Sequence, residues 1–216
     1  MLLQKELISQ AVVAISPALN PFMFSQNWFL KHRFLDELEI QPESIFTKDV
    51  VTLHSERFQL LVVEGKIQFN CPKSDTMGLS VASSLGPMLE KLQDLPFIAL
   101  GFNFNWVLFC EDETEFFNYG KLLFEKPDTA LFSHFQDSNA AFGIFLSKAF
   151  EEGRLRLEAR PAKFLQTSDG TERFGFTCDF NFHFDIDASA NQELLMKRLS
   201  RFSICRKYSE TIVDSI

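Results

Sequence analysis

The chain is 216 residues long and 46% hydrophobic, which is sufficient to bury a substantial core. Its formal net charge of -8 disfavours nucleic-acid binding, which needs clusters of lysine and arginine to displace phosphate counterions. The aromatic residues comprise 26 Phe against 2 Tyr and 2 Trp, so most rings supply apolar bulk without a hydrogen-bonding group. We therefore expect a Phe-rich interior, with an exposed Phe groove for apolar partners as the alternative.

The four cysteines, at positions 71, 110, 178 and 205, form no CxxC pair. Three of them lie in apolar segments, where cysteine behaves as a small hydrophobic residue, and this usage is typical of a reducing compartment. The N-terminal sequence MLLQKELISQAVVAIS has no apolar run long enough for a signal sequence or a membrane span. We predict a cytoplasmic protein that does not bind membranes.

The first elements of the chain are a predicted strand and a predicted helix. The strand covers 10–15 and ends where the two prolines of SPALNP prevent regular pairing. Apolar residues spaced four apart then favour a helix over 25–38, capped by Ser25. The segment HRFLDELEI inside that range also fits a strand.

An antiparallel β-meander follows, and after it a helix and an aromatic strand. The meander strands are predicted over 49–54, 58–63 and 66–70, with a two-residue turn at Glu64-Gly65. Between 75 and 95 the apolar spacing indicates an amphipathic helix, in which Gly86-Pro87 marks a kink or a fresh helical start. The strand 97–110 then places Phe and Trp on one face and Asn103 and Asn105 on the other.

The remaining chain predicts a helix, a second meander and a final helix. The helix covers 112–124, is capped by Asp112 and is followed by a loop over 126–139. The last strands and helix are predicted over 142–150, 154–165, 172–187 and 191–211. Basic residues of the final helix, from Lys197 to Lys207, are typical of a solvated face, and docking of an acidic partner is the alternative.

The run FGFTCDFNFHFDID, residues 174–187, alternates aromatic and polar side chains. Successive side chains of a strand point to opposite faces, so the even positions form an aromatic face on the core. The odd positions form a polar row that consists of Asp179, Asn181, His183, Asp185 and Asp187. FNFN at 102–105 echoes FNFH at 180–183, but the echo is too short to establish an internal duplication.

The register of the last hairpin follows from its turn. Asp169-Gly170 is a strong turn signal, and placing it at the tip pairs Ser168 with Thr171. The polar pairs of that register are Arg160–Asp179, Glu158–Asn181, Arg156–His183 and Arg154–Asp185, and the apolar pairs are Leu157–Phe182 and Leu155–Phe184. An odd-length turn would place arginines against phenylalanines. We predict a charge ladder whose role is structural.

If the two FNF strands are sheet neighbours, they form a candidate binding site from Asn103, Asn105, Asn181, His183 and Asp185. This polar face would also suit a small-molecule or metal-dependent enzyme. Metal binding is disfavoured because the arginines compete for the carboxylates, and successive ligands on one strand lie about 7 Å apart. No catalytic triad signature, GxxxxGK, GxGxxG or HExxH is present, so we predict no catalytic residue, no metal site and no cofactor.

The segment 17–28, PALNPFMFSQNW, resembles the proline-rich turn that leads to a tryptophan in SecB-type export chaperones. The resemblance implies an acidic, antiparallel-sheet protein that self-associates and holds extended apolar polypeptide in grooves. SecB-like proteins also occur with toxin–antitoxin and phage-defence modules. An antitoxin-associated or defence role is therefore a further implication of the resemblance.

These elements predict an α+β fold with a mainly antiparallel sheet, made of two β-meanders and covered on one face by amphipathic helices. We expect one domain over 1–216, and two β lobes (1–110 and 111–216) sharing one core are the alternative. The leading functional hypothesis is a non-enzymatic, chaperone-like protein-binding module that forms a homo-oligomer. Its partner would be another protein or a second copy. A structural subunit of a larger assembly and the enzyme described above are the alternatives.

Overall fold

The computed structural model describes residues 4–71, 77–125, 129–130, 132–135, 137, 139–165, 171–187 and 192–216. The strands of these residues are β1 (Gln4–Ile15), β2 (Ile45–Phe46), β3 (Val50–His54), β4 (Gln59–Val63), β5 (Lys66–Asn70), β6 (Ala99–Phe109), β7 (Ile144–Phe150), β8 (Gly153–Leu165) and β9 (Glu172–Asp185). They form one antiparallel sheet in the order β2-β3-β4-β5-β1-β6-β9-β8-β7. Two meanders are therefore joined through β1 and β6, which confirms the predicted mainly antiparallel α+β fold.

The α-helices of the described residues are α1 (Gln26–Lys31), α2 (Met77–Ser80), α3 (Gly86–Glu90), α4 (Glu113–Phe124), α5 (Gln192–Leu199) and α6 (Phe202–Asp214). Short 3-10 turns lie at Pro21–Met23, Glu37–Glu39 and Phe132–His134. Helices α4, α5 and α6 pack against the central strands β6 and β9. We call the sheet face beneath them the helix face and the opposite face the open face.

The strands of the first meander lie where the sequence predicts them. Gly65 in the turn between β4 and β5 has a φ of +76°, a conformation that glycine adopts without steric cost. Strand β1 is longer than predicted, because its first half also pairs with β6, from Gln4 opposite Phe109 onward. The ladder shifts between Leu7 and Ser9, so the extra residues form a bulged extension of the predicted strand.

The predicted helix over 25–38 is wrong beyond Lys31. Its start is as expected, since the Trp28 N–H donates to the Ser25 hydroxyl oxygen at 3.2 Å. The helix ends because the chain turns at Arg33, which has a φ of 58°. Leu38 is then 100% exposed, so the apolar residues spaced four apart do not share one buried face.

Two of the three later helix predictions, 75–95 and 191–211, are divided in the structure, whereas the helix predicted over 112–124 is the single helix α4. Between α2 and α3 the chain makes a π-helical turn, Val81–Leu85, and the Gly86 N–H donates to the Val81 carbonyl before the fresh helical start at Gly86-Pro87. The final helix is interrupted at Ser200, whose hydroxyl donates to the Lys197 carbonyl at 2.8 Å. The predicted start of that helix, at 191, lies outside the described residues.

Phenylalanine rings fill the helix face, as the alternation of the two FNF strands predicts. Strands β6 and β9 are sheet neighbours, with Phe102 opposite Phe182 and Phe104 opposite Phe180. The Phe202 side chain of α6 packs onto β6, and its ring centroid lies 5.5 Å from that of Phe102 and 5.3 Å from that of Phe104. One hydrophobic cluster contains side chains from both 1–110 and 111–216.

The register of the last hairpin differs from the predicted one by two residues. Arg154 lies opposite His183, Arg156 opposite Asn181 and Glu158 opposite Asp179, while Leu155 and Leu157 lie opposite Phe182 and Phe180. The pairing parity, and therefore the assignment of each side chain to a face, is as predicted. Six predicted pairs are therefore wrong as directly opposite neighbours: Arg160–Asp179, Glu158–Asn181, Arg156–His183, Arg154–Asp185, Leu157–Phe182 and Leu155–Phe184. The Asp169-Gly170 turn and the Ser168–Thr171 pair lie outside the described residues.

None of the helices in the described part of the chain combines the length and the apolar character needed to cross a membrane.

The three cysteines predicted to behave as small hydrophobic residues are buried. Burial raises the pKa of Cys110 to about 11, and the pKa of Cys178 and of Cys205 to about 12. Cys71 is partly exposed. Because the thiolate is the reactive form, we expect iodoacetamide to modify Cys71 alone in the native protein at pH 8.

Mass spectrometry before and after denaturation checks this expectation. All four thiols should react once the chain is unfolded in urea. Rapid modification of Cys178 in the native state would contradict the buried position of that thiol.

Candidate functional site

The open face carries a polar cluster at the centre of the sheet, where β6 and β9 pair. Asn103 lies opposite Asn181, and the Asn181 side-chain amide donates to Asn103 Oδ1 at 2.7 Å. Asn105 lies opposite Asp179 and donates to its carboxylate. The structure therefore brings together three of the predicted site residues, because the two FNF strands are adjacent and in this register.

These side chains line an open depression of about 420 Å³. Five strands, β1, β6, β7, β8 and β9, contribute to its lining. The lining residues are Ser9, Ala11, Asn103, Phe104, Asn105, Phe145, Arg156, Glu158, Asp179, Phe180 and Asn181. His183 and Asp185, the other predicted site residues, do not line it. The His183 imidazole instead lies 3.0 Å from the Asp185 carboxylate, which is 94% exposed.

The polar groups of this depression are largely engaged with each other. Asp179 accepts from Asn105 and also from the Arg160 guanidinium at 2.7 Å, although Arg160 lies opposite Thr177. The predicted Arg160–Asp179 ion pair thus forms diagonally, between neighbouring positions of the ladder. No group of three or more His, Cys, Asp or Glu side chains suitable for a metal occurs among the residues that the structure describes. The cluster is an amide-rich hydrogen-bonding surface.

A second feature of the sheet is its outer strand β7, Ile144–Phe150. It is the last strand in the sheet order and, among the strands that the structure describes, pairs only with β8. Its five central residues are exposed, and Phe145 and Leu146 are 63% and 50% exposed on opposite faces. The other outer strand, β2, has two residues. Strand β7 is therefore the long free edge of the described sheet.

An apolar groove of about 340 Å³ borders β7 on the helix face. Leu146 and Lys148 of β7 line one side, Leu155 and Leu157 of β8 form the floor, and Tyr208 and Ile212 of α6 form the opposite wall; Ser147 completes the lining. The Lys148 ammonium lies 4.8 Å from the centre of the Tyr208 ring and donates to its hydroxyl. Helix α6 thus stops short of covering β7.

The turn that leads from β7 into β8 is held in place by two arginines. Glu152 pairs with Arg198, a buried residue of α5, and Glu151 lies 3.5 Å from Arg201. At the start of the turn, the Phe150 ring packs against Tyr208 with centroids 4.8 Å apart. These contacts position the edge strand on the helix layer.

The pairing of Glu152 makes the stability of the protein depend on pH. A hydrogen bond from Arg198, and then the positive charges of Arg198 and Lys197, lower the pKa of the Glu152 carboxyl. A carboxyl whose pKa is lower in the folded state stabilises the protein above its unfolded pKa, and this contribution disappears as the pH falls through the folded pKa. We expect the destabilisation by Glu152→Gln to be largest at neutral pH and to vanish in acid.

Urea denaturation from pH 7 to about pH 2, well below the ordinary glutamate pKa of about 4.3, measures this difference. Glu90→Gln is the matched control, since Glu90 is exposed and has no ion pair within the described residues. A difference between wild type and Glu152→Gln that stays constant over this range would contradict the role of the charge.

Sequence reasoning identified β7 as a strand but missed its position at the edge. Apolar residues follow each other in Ile144, Phe145 and Leu146, so the segment does not alternate and is typical of a strand buried on both faces. The one signal for an edge is Lys148, because charged residues on outer strands limit pairing with other chains.

Comparisons with protein-family models, curated proteins and solved structures found no match, so the function is inferred from these contacts.

Proposed function

We propose that this protein binds polypeptides by adding an extended segment of the partner to the free edge of β7. The observation that carries the proposal is a seven-residue edge strand with exposed Phe145 and Leu146, next to an apolar groove. Strand addition gives affinity through main-chain hydrogen bonds and specificity through pockets for alternate side chains. The polar groups of the open-face cluster hydrogen-bond mainly to one another, so we base the proposal on the edge strand and not on that cluster.

The geometry of β7 defines what each face of an added strand would meet. Side chains on the helix face would lie over the groove between Leu146 and Ile212. Side chains on the open face would lie beside Phe145 and the polar depression. An added strand would lie about 4.8 Å from β7, the usual spacing within a sheet.

The chaperone-like role implied by the resemblance to SecB-type proteins is the broader form of this proposal. The segment that carries the resemblance also exposes apolar surface, since Phe22 is 78% and Met23 39% exposed. A protein that holds non-native chains needs such surface in addition to one docking edge. Self-association, an antitoxin-associated role and a defence role remain predictions of the same resemblance.

The test measures binding to an unfolded polypeptide. Reduced and carboxymethylated lactalbumin, labelled with a fluorophore, serves as the probe in anisotropy titrations. We expect Leu146→Lys to weaken binding about 3- to 10-fold. Full burial of a leucine is worth about 1.5–3 kcal/mol, Leu146 is 50% exposed before binding, and the lysine adds a charge at the groove. Leu122→Lys on α4, at a position 78% exposed, is the control and should bind as wild type.

Equal binding by Leu146→Lys and wild type would overturn the proposal. Light scattering is measured on the same samples, because a second copy of the chain is the competing occupant of the edge. A wild-type dimer that Leu146→Lys converts to a monomer would assign β7 to self-association instead. Thermal unfolding of each variant verifies that the fold is retained.

A further inference from the structure

Within the described residues, strand β7 and its neighbour β8 carry cations that have no acidic partner. Among the described residues, Lys148, Arg154 and Arg156 have no carboxylate oxygen within 4.0 Å. By contrast, Arg160 on the same strand as Arg154 pairs with Asp179 and with Glu158. Three cations that pair with no described carboxylate therefore lie beside the free edge of a chain whose net charge is -8.

The two arginines lie on the open face, one strand in from the edge. Arg154 is opposite Ala149 and Arg156 is opposite Ser147, so small side chains of β7 separate them from an added strand. The Arg154 side chain extends toward the edge strand β7, since its Nε donates to the Ser147 hydroxyl at 2.7 Å. An added strand would lie two strand spacings from β8, about 9–10 Å, which an arginine and a glutamate side chain span together.

The helix face of the same edge is apolar. Leu146 and the groove residues Leu155, Leu157 and Ile212 provide contact surface for aliphatic side chains. Lys148 is at the rim of this groove, over the Tyr208 ring. The two faces of an added strand would therefore meet different chemistry, carboxylate-binding on one side and apolar on the other.

A second copy of β7 does not fit this charge pattern. Strand β7 contains Lys148 and no acidic residue, so a second copy would offer no carboxylate to Lys148, Arg154 or Arg156. Like charges facing each other across a strand pair are destabilising, and a lysine on an edge strand opposes such pairing. Charge complementarity favours an occupant from another protein.

We infer that the β7 edge binds a strand in which acidic and aliphatic residues alternate. The carboxylates lie on the open face with Arg154 and Arg156, and the aliphatic side chains lie over the groove. This inference rests on the proposed strand addition and specifies the chemistry of the partner segment. The two pairs with Arg154 and Arg156 are expected to favour the acidic strand about 3- to 20-fold over a neutral one.

Three fluorescein-labelled peptides of the length of β7 test the inference. All carry valine at alternate positions, and the positions between are glutamate, glutamine or lysine. We expect the glutamate peptide to bind tightest and the lysine peptide weakest, with the difference much reduced in about 1 M salt, where the Debye length is about 3 Å. The double variant Arg154→Gln/Arg156→Gln should bind the glutamate and glutamine peptides equally, whereas the control Lys91→Gln should retain the preference.

The possible outcomes distinguish failure of the acidic-partner inference from failure of the proposed strand addition. Equal binding of the glutamate and glutamine peptides by wild type, with both lost in Leu146→Lys, would overturn the acidic partner and retain strand addition. Tightest binding of the lysine peptide would also overturn the acidic partner. Failure of all three peptides to bind wild type would overturn strand addition itself. Circular dichroism and thermal unfolding confirm that the double variant is folded.

Discussion

Replacing Phe182 by alanine is expected to lower the free energy of unfolding by about 3–5 kcal/mol. The Phe182 ring is fully buried, with centroids 5.8 Å from Phe104 and 5.0 Å from Phe150. Removing the ring loses apolar burial and leaves a cavity among closely packed side chains of β6, β7 and β9. Urea denaturation followed by tryptophan fluorescence measures the change.

Phe22→Ala is the matched control for this experiment. It removes the same ring from a position that is 78% exposed, so we expect a change of less than about 0.5 kcal/mol. A loss below about 1 kcal/mol for Phe182→Ala would contradict the position of this ring at the centre of the core.

Gly175→Ala is expected to destabilise the protein by about 1–3 kcal/mol, although it adds a single methyl group. Gly175 lies opposite Phe109 where β9 and β6 pair. A Cβ at this position would overlap the carbonyl oxygen of Leu108 and lie 3.2 Å from its carbonyl carbon. Both atoms belong to the backbone of a central strand, so the strands themselves would have to separate.

The contrasting substitution is Gly120→Ala, inside helix α4. There a Cβ would lie 3.4 Å from the edge of the Phe176 ring, which is an ordinary van der Waals contact. Alanine is also favoured over glycine in a helix by up to about 1 kcal/mol, so we expect little change or a gain in stability. Chemical denaturation of both variants provides the comparison, and equal losses would argue against close approach of β6 and β9.

The faces of the sheet could be predicted because residue type alternates with a period of two in both FNF strands. Phe180, Phe182 and Phe184 are buried as expected, and Asn103 and Asn181 meet on the open face. The same alternation made the two FNF strands identifiable as counterparts. Their adjacency was a condition of the candidate site, and the structure fulfils it.

The register could not be predicted to the residue because charge pairs tolerate a shift of two positions. Arg160 reaches Asp179 diagonally, so a ladder of long side chains fits more than one alignment of β8 and β9. A shift of two also leaves every side chain on its own face, and the hydrophobic pattern does not oppose it. His183 consequently lies opposite Arg154. The three asparagines of the predicted site lie together in the open-face depression, whereas His183 and Asp185 lie outside its lining.

The strand order was beyond sequence reasoning for a different reason. Apart from Lys148, nothing local to 144–150 distinguishes an edge strand from a central one, because that distinction depends on which strands find partners elsewhere. Helix 25–38 failed similarly, since the spacing of Leu30, Phe34 and Leu38 does not reveal the turn at Arg33. These features depend on tertiary contacts.

The position of β6 in the middle of the sheet has a consequence for biosynthesis. Strand β6 ends at Phe109 and pairs with β1, which is made before it, and with β9, which begins at Glu172. Translation at about 5–20 residues per second separates the two strands by several seconds. During that interval the growing chain can complete the β1–β6 ladder but not the next one. A strand that is central in the finished protein is therefore the exposed edge of the sheet in the nascent chain.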